Sequence, residues 1–215
     1  MRPMARFGAL WSLLLAILLV GCSSPAPEFA PLPRGSAVLA LGDSVTYGVG
    51  AGSGEDYPTR LAEISGWVIH NHGVSGDTSG GARARLEEAL AEAQPKLVIV
   101  EIGGNDFLRR QPTNTVKENI RAILRRVKTA GIPVVLVAVP AFSPLGAAVG
   151  RLSDAELYAE LADEEKVPLV PAVFARVLSD PKLKADTIHP NAAGYRQLAE
   201  GIAAELIKTG LLAKP

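Results

Sequence analysis

From about residue 36 onward, short apolar runs alternate with longer amphipathic ones. The runs Ala37 to Leu41, Trp67 to His70, Leu97 to Ile102, Val134 to Val139 and Val167 to Val170 read as strands. Several are apolar on both faces, as strands buried in a parallel sheet are. Between them, Tyr57 to Ser65, Ala82 to Ala93, Val116 to Ala130, Asp154 to Lys166 and Asn191 to Lys208 repeat their apolar positions at helical spacing. Pro95 stops the second of these helices, and Gly131-Ile132-Pro133 stops the third. Alternating strands and helices predict one α/β domain, a parallel sheet of about five strands with helices on both faces.

The segment ahead of this pattern is different in kind. Arg2 and Arg6 precede an uncharged apolar run from Gly8 to Val20, which is shorter than the roughly 20 residues a spanning helix needs. It reads as a secretory signal. Pro25, Pro27, Pro31 and Pro33 follow and rule out a helix there. The expected organisation is a signal over 1–21, a semi-rigid tether over 22–35 and one domain over 36–215.

Composition removes several functions. Acidic and basic residues balance at 22 each, and no Lys/Arg cluster is interleaved with aromatics, so no footprint for nucleic acid is present. The single cysteine, Cys22, lies outside the domain and excludes a disulfide framework. There is no Walker loop, no dinucleotide glycine fingerprint, no Gly-x-Ser-x-Gly elbow and no histidine pair at metal-ligand spacing. No metal or organic cofactor is expected.

In an open α/β sheet, ligands bind at the carboxyl ends of the strands. The polar clusters fall there: Gly42-Asp43-Ser44 after the first strand, Gly73 to Gly80 after the second, and Gly103-Gly104-Asn105-Asp106 after the third. Ser44 is a candidate nucleophile, which requires a base, an orienting acid and an oxyanion site. Of the three histidines, His70 falls within the second strand and reads as a core or edge residue, and His72 is a weak backup. His189 is followed by Pro190, suited to a first helical position, so it is expected to cap the last helix. Asp186, one turn earlier, is placed to orient it. Asp43 and Asp106 are expected to shape loops, since a carboxylate beside a developing oxyanion would repel it.

Each cluster alone could be an ordinary turn. Together Gly42-Asp43-Ser44-Val45, Ser75-Gly76-Asp77-Thr78-Ser79, Gly104-Asn105-Asp106 and Asp186-Thr187-Ile188-His189-Pro190-Asn191 resemble the GDSL esterase and lipase family, or SGNH hydrolases. The likeness spans Ala37 to about Leu206, and its second and fourth blocks look most like the bacterial thioesterase I, lysophospholipase and arylesterase branch. Val45 stands where leucine or isoleucine is often found. The resemblance implies a three-layer, flavodoxin-like α/β/α fold without cofactor. It implies Ser44 as nucleophile, His189 as base and then acid, and Asp186 as its orienting residue. The oxyanion hole would comprise the amides of Ser44 and Gly76 and the Asn105 side chain.

The implied substrate is a small ester, thioester or lysophospholipid. Phe107, Leu108, Phe142, Leu145 and Ile188 lie in or beside the site loops and could line an acyl pocket. A carbohydrate acetylesterase and a non-catalytic envelope lipoprotein are the competing readings. Leu19-Val20-Gly21-Cys22 resembles the bacterial lipobox, which implies acylation of Cys22 and attachment to a membrane. Ser23 after the cysteine implies outer-membrane sorting in a diderm bacterium, with the domain in the periplasm.

Overall fold

A computed structural model describes residues 29–141, 143, 145–146 and 150–214. Five strands, β1 (Ala37–Gly42), β2 (Val68–Gly73), β3 (Leu97–Glu101), β4 (Val134–Val137) and β5 (Leu169–Val170), form a parallel sheet ordered β2-β1-β3-β4-β5. The chain moves from β1 to one edge, then returns and crosses to the other. Right-handed crossovers therefore put the first connecting helix on one face and the later ones on the opposite face. On the first face α2 (Tyr57–Ser65) packs against the last helix, α9 (Ala192–Thr209). On the second, α3 (Ser79–Ala84) and α4 (Leu86–Ala93) adjoin α6 (Thr113–Thr129), which packs on α7 (Glu156–Glu165). Both faces of β1 and β3 are fully covered, which is why Val38, Leu39, Leu41 and Leu97 to Val100 are apolar without alternation.

Three departures from the sequence expectation bear on how the site and the start of the domain are built. The helix expected over 82–93 is two helices that meet at Arg85. The break points the Arg85 guanidinium back at the sheet, where it donates to the carbonyls of Gly42 and His72, both at 2.9 Å, and to Asp77 at 2.8 Å. The second strand extends through His72 to Gly73, in register with Leu41 and Gly42. Polar residues are tolerated there because β2 is an edge strand and its side chains are half-buried or exposed.

The third difference lies ahead of β1. The amide of Phe29 donates to the Thr209 carbonyl at 3.1 Å, that of Leu32 donates to Leu211 at 2.9 Å, and Trp67 Nε1 donates to the Leu32 carbonyl at 3.4 Å. Phe29 and Leu32 also pack against the core. Apolar burial thus fastens the chain to the domain from Phe29, ahead of the expected start at Ser36. The signal, Cys22 and the first part of the tether lie outside the described residues. Among those described, no helix is long and apolar enough to cross a membrane.

Candidate active site

β1 ends at Gly42, which is paired with Gly73 on one side and Glu101 on the other. A one-turn helix, α1 (Ser44–Tyr47), starts at once, capped by Asp43, whose Oδ1 accepts from the Val45 amide at 3.0 Å. The turn folds down onto the sheet end so tightly that a Cβ on Gly42 would overlap Thr46 Oγ1 and the Glu101 carbonyl. Thr46 Oγ1 donates to Glu101 Oε2 at 2.9 Å and lies 3.0 Å from Tyr57 Oη. Ser44 is left 8 % exposed, its hydroxyl at the mouth of a cleft.

The Ser44 hydroxyl is 2.9 Å from His189 Nε2, and His189 Nδ1 is 2.8 Å from Asp186 Oδ2. Asp186 Oδ1 accepts from the backbone amides of Ile188 and His189, both at 2.8 Å. This loop follows α8 (Val173–Ser179) and a short 3-10 turn (Pro181–Leu183). It is closed by backbone bonds from Ala185 to His189 and from Asn191 to Leu183, each 2.9 Å. The expectation that His189 caps the last helix is corrected. Asn191 is the cap, its side chain accepting from Gly194 at 3.0 Å, because Pro190 is held in a bridge with Lys184 ahead of the helix.

Asn105 lines the same cleft as Ser44 and His189, whereas Gly76, in the loop after β2, is not among the residues that line it. Gly76 has φ +80, open to glycine at little cost, and Arg109 donates to its carbonyl at 2.9 Å. Asn105, in the first turn of α5 (Gly104–Leu108), donates from Nδ2 to Asp43 Oδ2 at 3.2 Å, which leaves its second amide hydrogen free. The Ser44 and Gly76 amides donate to no other described residue. Asp106 ties the third loop to the second by accepting from the amide and hydroxyl of Ser79, both at 2.8 Å. Asp43 and Asp106 thus have the loop-shaping positions expected of them.

The carboxyls of the site are in contrasting environments. Burial pushes Asp43 up to about 6, against the lowering pull of the Val45 amide, His189 and Asn105. Burial, and then the charge of Asp43, push Glu101 well above the usual carboxylate range. Glu101 Oε1 is buried without a partner among the described residues. For Asp186, burial would raise the pKa, but the hydrogen bonds from His189 and two backbone amides outweigh it and hold the carboxyl below its ordinary value.

Beside the serine opens a cavity of about 530 Å³. Phe107, Leu108 and Ile188 line it as expected. Leu145 does not; it is 75 % exposed, in a turn closed by Gly146 donating to Ser143 Oγ and Arg151 donating to the Gly146 carbonyl. Phe142 lies outside the described residues. Phe174 and Leu178 of α8 and Leu152 also line the wall, and sequence reading missed them because their spacing is that of core residues. It missed Glu101 and Arg85 as well. An acid closing an apolar strand was a usable signal for Glu101, whereas nothing separated Arg85 from Arg83. Among the described residues no group of three or more histidine, cysteine or acidic side chains is placed to hold a metal ion.

A sequence model of the GDSL-like lipase/acylhydrolase family matches residues 40–197. An arylesterase of Vibrio mimicus is 30 % identical over 203 residues, which span 91 % of this chain and 98 % of that protein. The thioesterase 1/protease 1/lysophospholipase L1 of Escherichia coli K12 is 33 % identical over 172 residues, covering 79 % of this chain and 82 % of its own length. The crystal structure of TesA superposes with a TM-score of 0.68 at 30 % identity, over 79 % of this chain and 97 % of that one. The chain belongs to the GDSL-like lipase/acylhydrolase family, and is an esterase of its SGNH type.

Proposed function

We propose that Ser44 is the nucleophile of a hydrolase acting on esters and thioesters with an apolar acyl group. The observation that carries this reading is the unbroken chain from Asp186 through His189 to Ser44, opening on an apolar cavity. His189 Nε2 takes the hydroxyl proton as Ser44 Oγ attacks the acyl carbonyl. The negative charge that forms on the carbonyl oxygen is held by the Ser44 and Gly76 amides and by the free hydrogen of Asn105 Nδ2. His189 returns the proton to the leaving alcohol or thiol. A water, deprotonated by the same imidazole, then releases the acid and regenerates Ser44. Asp186 keeps Nδ1 protonated and stabilises the imidazolium.

The acyl group lies against Phe107, Leu108, Leu152, Phe174, Leu178 and Ile188. A pocket of this size and character favours chains longer than acetyl. Cys22 carries the acyl anchor of a lipoprotein, and the domain works in the bacterial envelope, tethered to the outer membrane on its periplasmic side. The lipobox-like order of residues 19–22 supports this part of the reading.

A fluorophosphonate probe tests the enzyme reading directly. The expected result is a mass adduct on the Ser44 peptide and loss of p-nitrophenyl butyrate hydrolysis. Full turnover by Ser44→Ala would sink the assignment.

A further inference from the structure

The turn that carries Ser44 is held from each strand that ends at the site. On β1, Gly42 leaves room for Thr46 to fold back against it. On β2, Asn71 Nδ2 donates to the Thr46 carbonyl at 2.8 Å, and a Cβ on Gly73 would strike the backbone of Thr46 and Tyr47. On β3, Glu101 Oε2 accepts from Thr46 Oγ1 at 2.9 Å. The contacts converge on Thr46, in the same turn of α1 as the nucleophile. Because the Thr46 proton goes to Glu101, the Tyr57 phenol, 3.0 Å away, donates to Thr46 Oγ1.

Glu101, Thr46 and Tyr57 are fully buried, so neither substrate nor bulk water touches them. The charge that bears on Glu101 is that of another acid, Asp43, and its Oε1 has no partner among the described residues. The phenols of Tyr57 on α2, Tyr158 on α7 and Tyr195 on α9 also lie within its electrostatic reach, and none is cationic. A carboxylate buried there would be uncompensated, so the neutral acid is the stable form.

We infer that Glu101, as a neutral carboxylic acid, is a positioning residue for the nucleophile. Through Thr46 it fixes the direction of α1, and with it the hydroxyl that His189 deprotonates and the amide that helps to hold the oxyanion. With only four residues, α1 cannot set its own direction by internal hydrogen bonds, so outside contacts must do so. An ionised Glu101 would add, beside Asp43, a charge of the same sign as the oxyanion. The inference deepens the esterase reading above and rests on it.

The test uses four variants of the whole protein. Thr46→Val and Glu101→Leu each remove one end of the bond at similar size, a third variant combines them, and Glu101→Gln keeps a neutral acceptor. kcat and KM on p-nitrophenyl butyrate are read well below each melting temperature, with the folded fraction taken from circular dichroism. Each single loss is expected to lower kcat at least about tenfold with KM within about twofold. The double should be no slower than about the worse single, and Glu101→Gln should stay within about threefold of wild type. Fluorophosphonate labelling of Ser44 should slow in the same proportion as kcat. Full kcat in folded Thr46→Val or Glu101→Leu, with only the melting temperature lowered, overturns the inference, since a purely structural bond would give that result. Glu101→Gln as slow as Glu101→Leu overturns it too, by showing that a neutral acceptor does not suffice. Should Glu101→Leu fail to fold, Thr46→Val decides by the same criterion. Wild type inactive on the ester and unlabelled by the probe would instead strike the esterase reading.

Discussion

The two halves of the site are held in place by different means. Ser44 stands on a turn packed against the ends of three parallel strands, and its neighbours Asp43, Thr46 and Glu101 are buried. His189 and Asp186 sit in a loop between two helices, where the Asp186 side chain is about half exposed and the geometry comes from local backbone bonds. The nucleophile is thus positioned by the core, and the base by a short hydrogen-bonded loop. A buried turn resists displacement because its neighbours cannot yield, whereas an exposed loop can adjust to substrate.

Substitutions can break this contrast, beginning with the chemistry itself. Ser44→Ala or His189→Ala is expected to cut kcat on the order of 10⁴-fold or more, read with p-nitrophenyl butyrate, with melting temperature nearly unchanged. Asp186→Asn keeps the loop bonds in outline but lets the imidazole adopt the wrong tautomer. Its kcat should fall on the order of 10² to 10⁴-fold with KM little altered, and a fall below threefold would show that Asp186 does not orient His189.

Stability separates the halves further. Gly42→Ala forces a methyl into Thr46 and the Glu101 carbonyl and should cost on the order of 3 kcal/mol in urea unfolding. Asn191→Ala, on the histidine side, removes only a helix cap and should cost about 1 kcal/mol. Equal losses would dissolve the distinction between a core-set nucleophile and a locally set base.

The smallest effect is a difference in sign with pH. Asp43, raised by burial from 3.8 to about 6, holds its proton in the folded state at pH values where the unfolded chain has released it. Its contribution to stability therefore declines as pH rises through that window. Asp186, lowered in the folded state, contributes stability above its unfolded pKa of 3.8 that is lost as pH falls through the folded value. Urea midpoints should show the advantage of wild type over Asp43→Asn shrinking as pH rises from 3.8 to about 6, and that over Asp186→Asn growing as pH rises toward 3.8 from below. Parallel trends would refute the contrast.

Much of this was legible in the chain. The five strands and the principal helices follow from periodicity, three polar clusters at strand ends and a fourth ahead of the last helix offered Ser44, Asp186 and His189, and the family resemblance that the four carry together added Gly76 and Asn105. That the first three clusters share one end of the sheet needed only the rule that a parallel sheet collects its carboxyl-terminal loops there. Less legible was whatever depends on partners distant in sequence. Arg85 reads as one more cation in a helix until Gly42 and His72 present their carbonyls to it. Glu101 reads as the polar end of a strand until Asp43 and Thr46 close over it. Leu145 and Leu178 look alike in sequence, yet one faces solvent and the other lines the cavity.

The sequence by itself determined the order of elements, the types of reactive group and the edge of the sheet that holds them. Those depend on period, on chemistry and on chain direction, all of which are local. Only the tertiary structure decided that His189 comes within 2.9 Å of Ser44 across 145 residues, that Glu101 lies buried beside Asp43, and that the chain ahead of β1 is fastened at the opposite pole. Such distances and burials are set by packing among residues far apart in the chain, which no local pattern encodes.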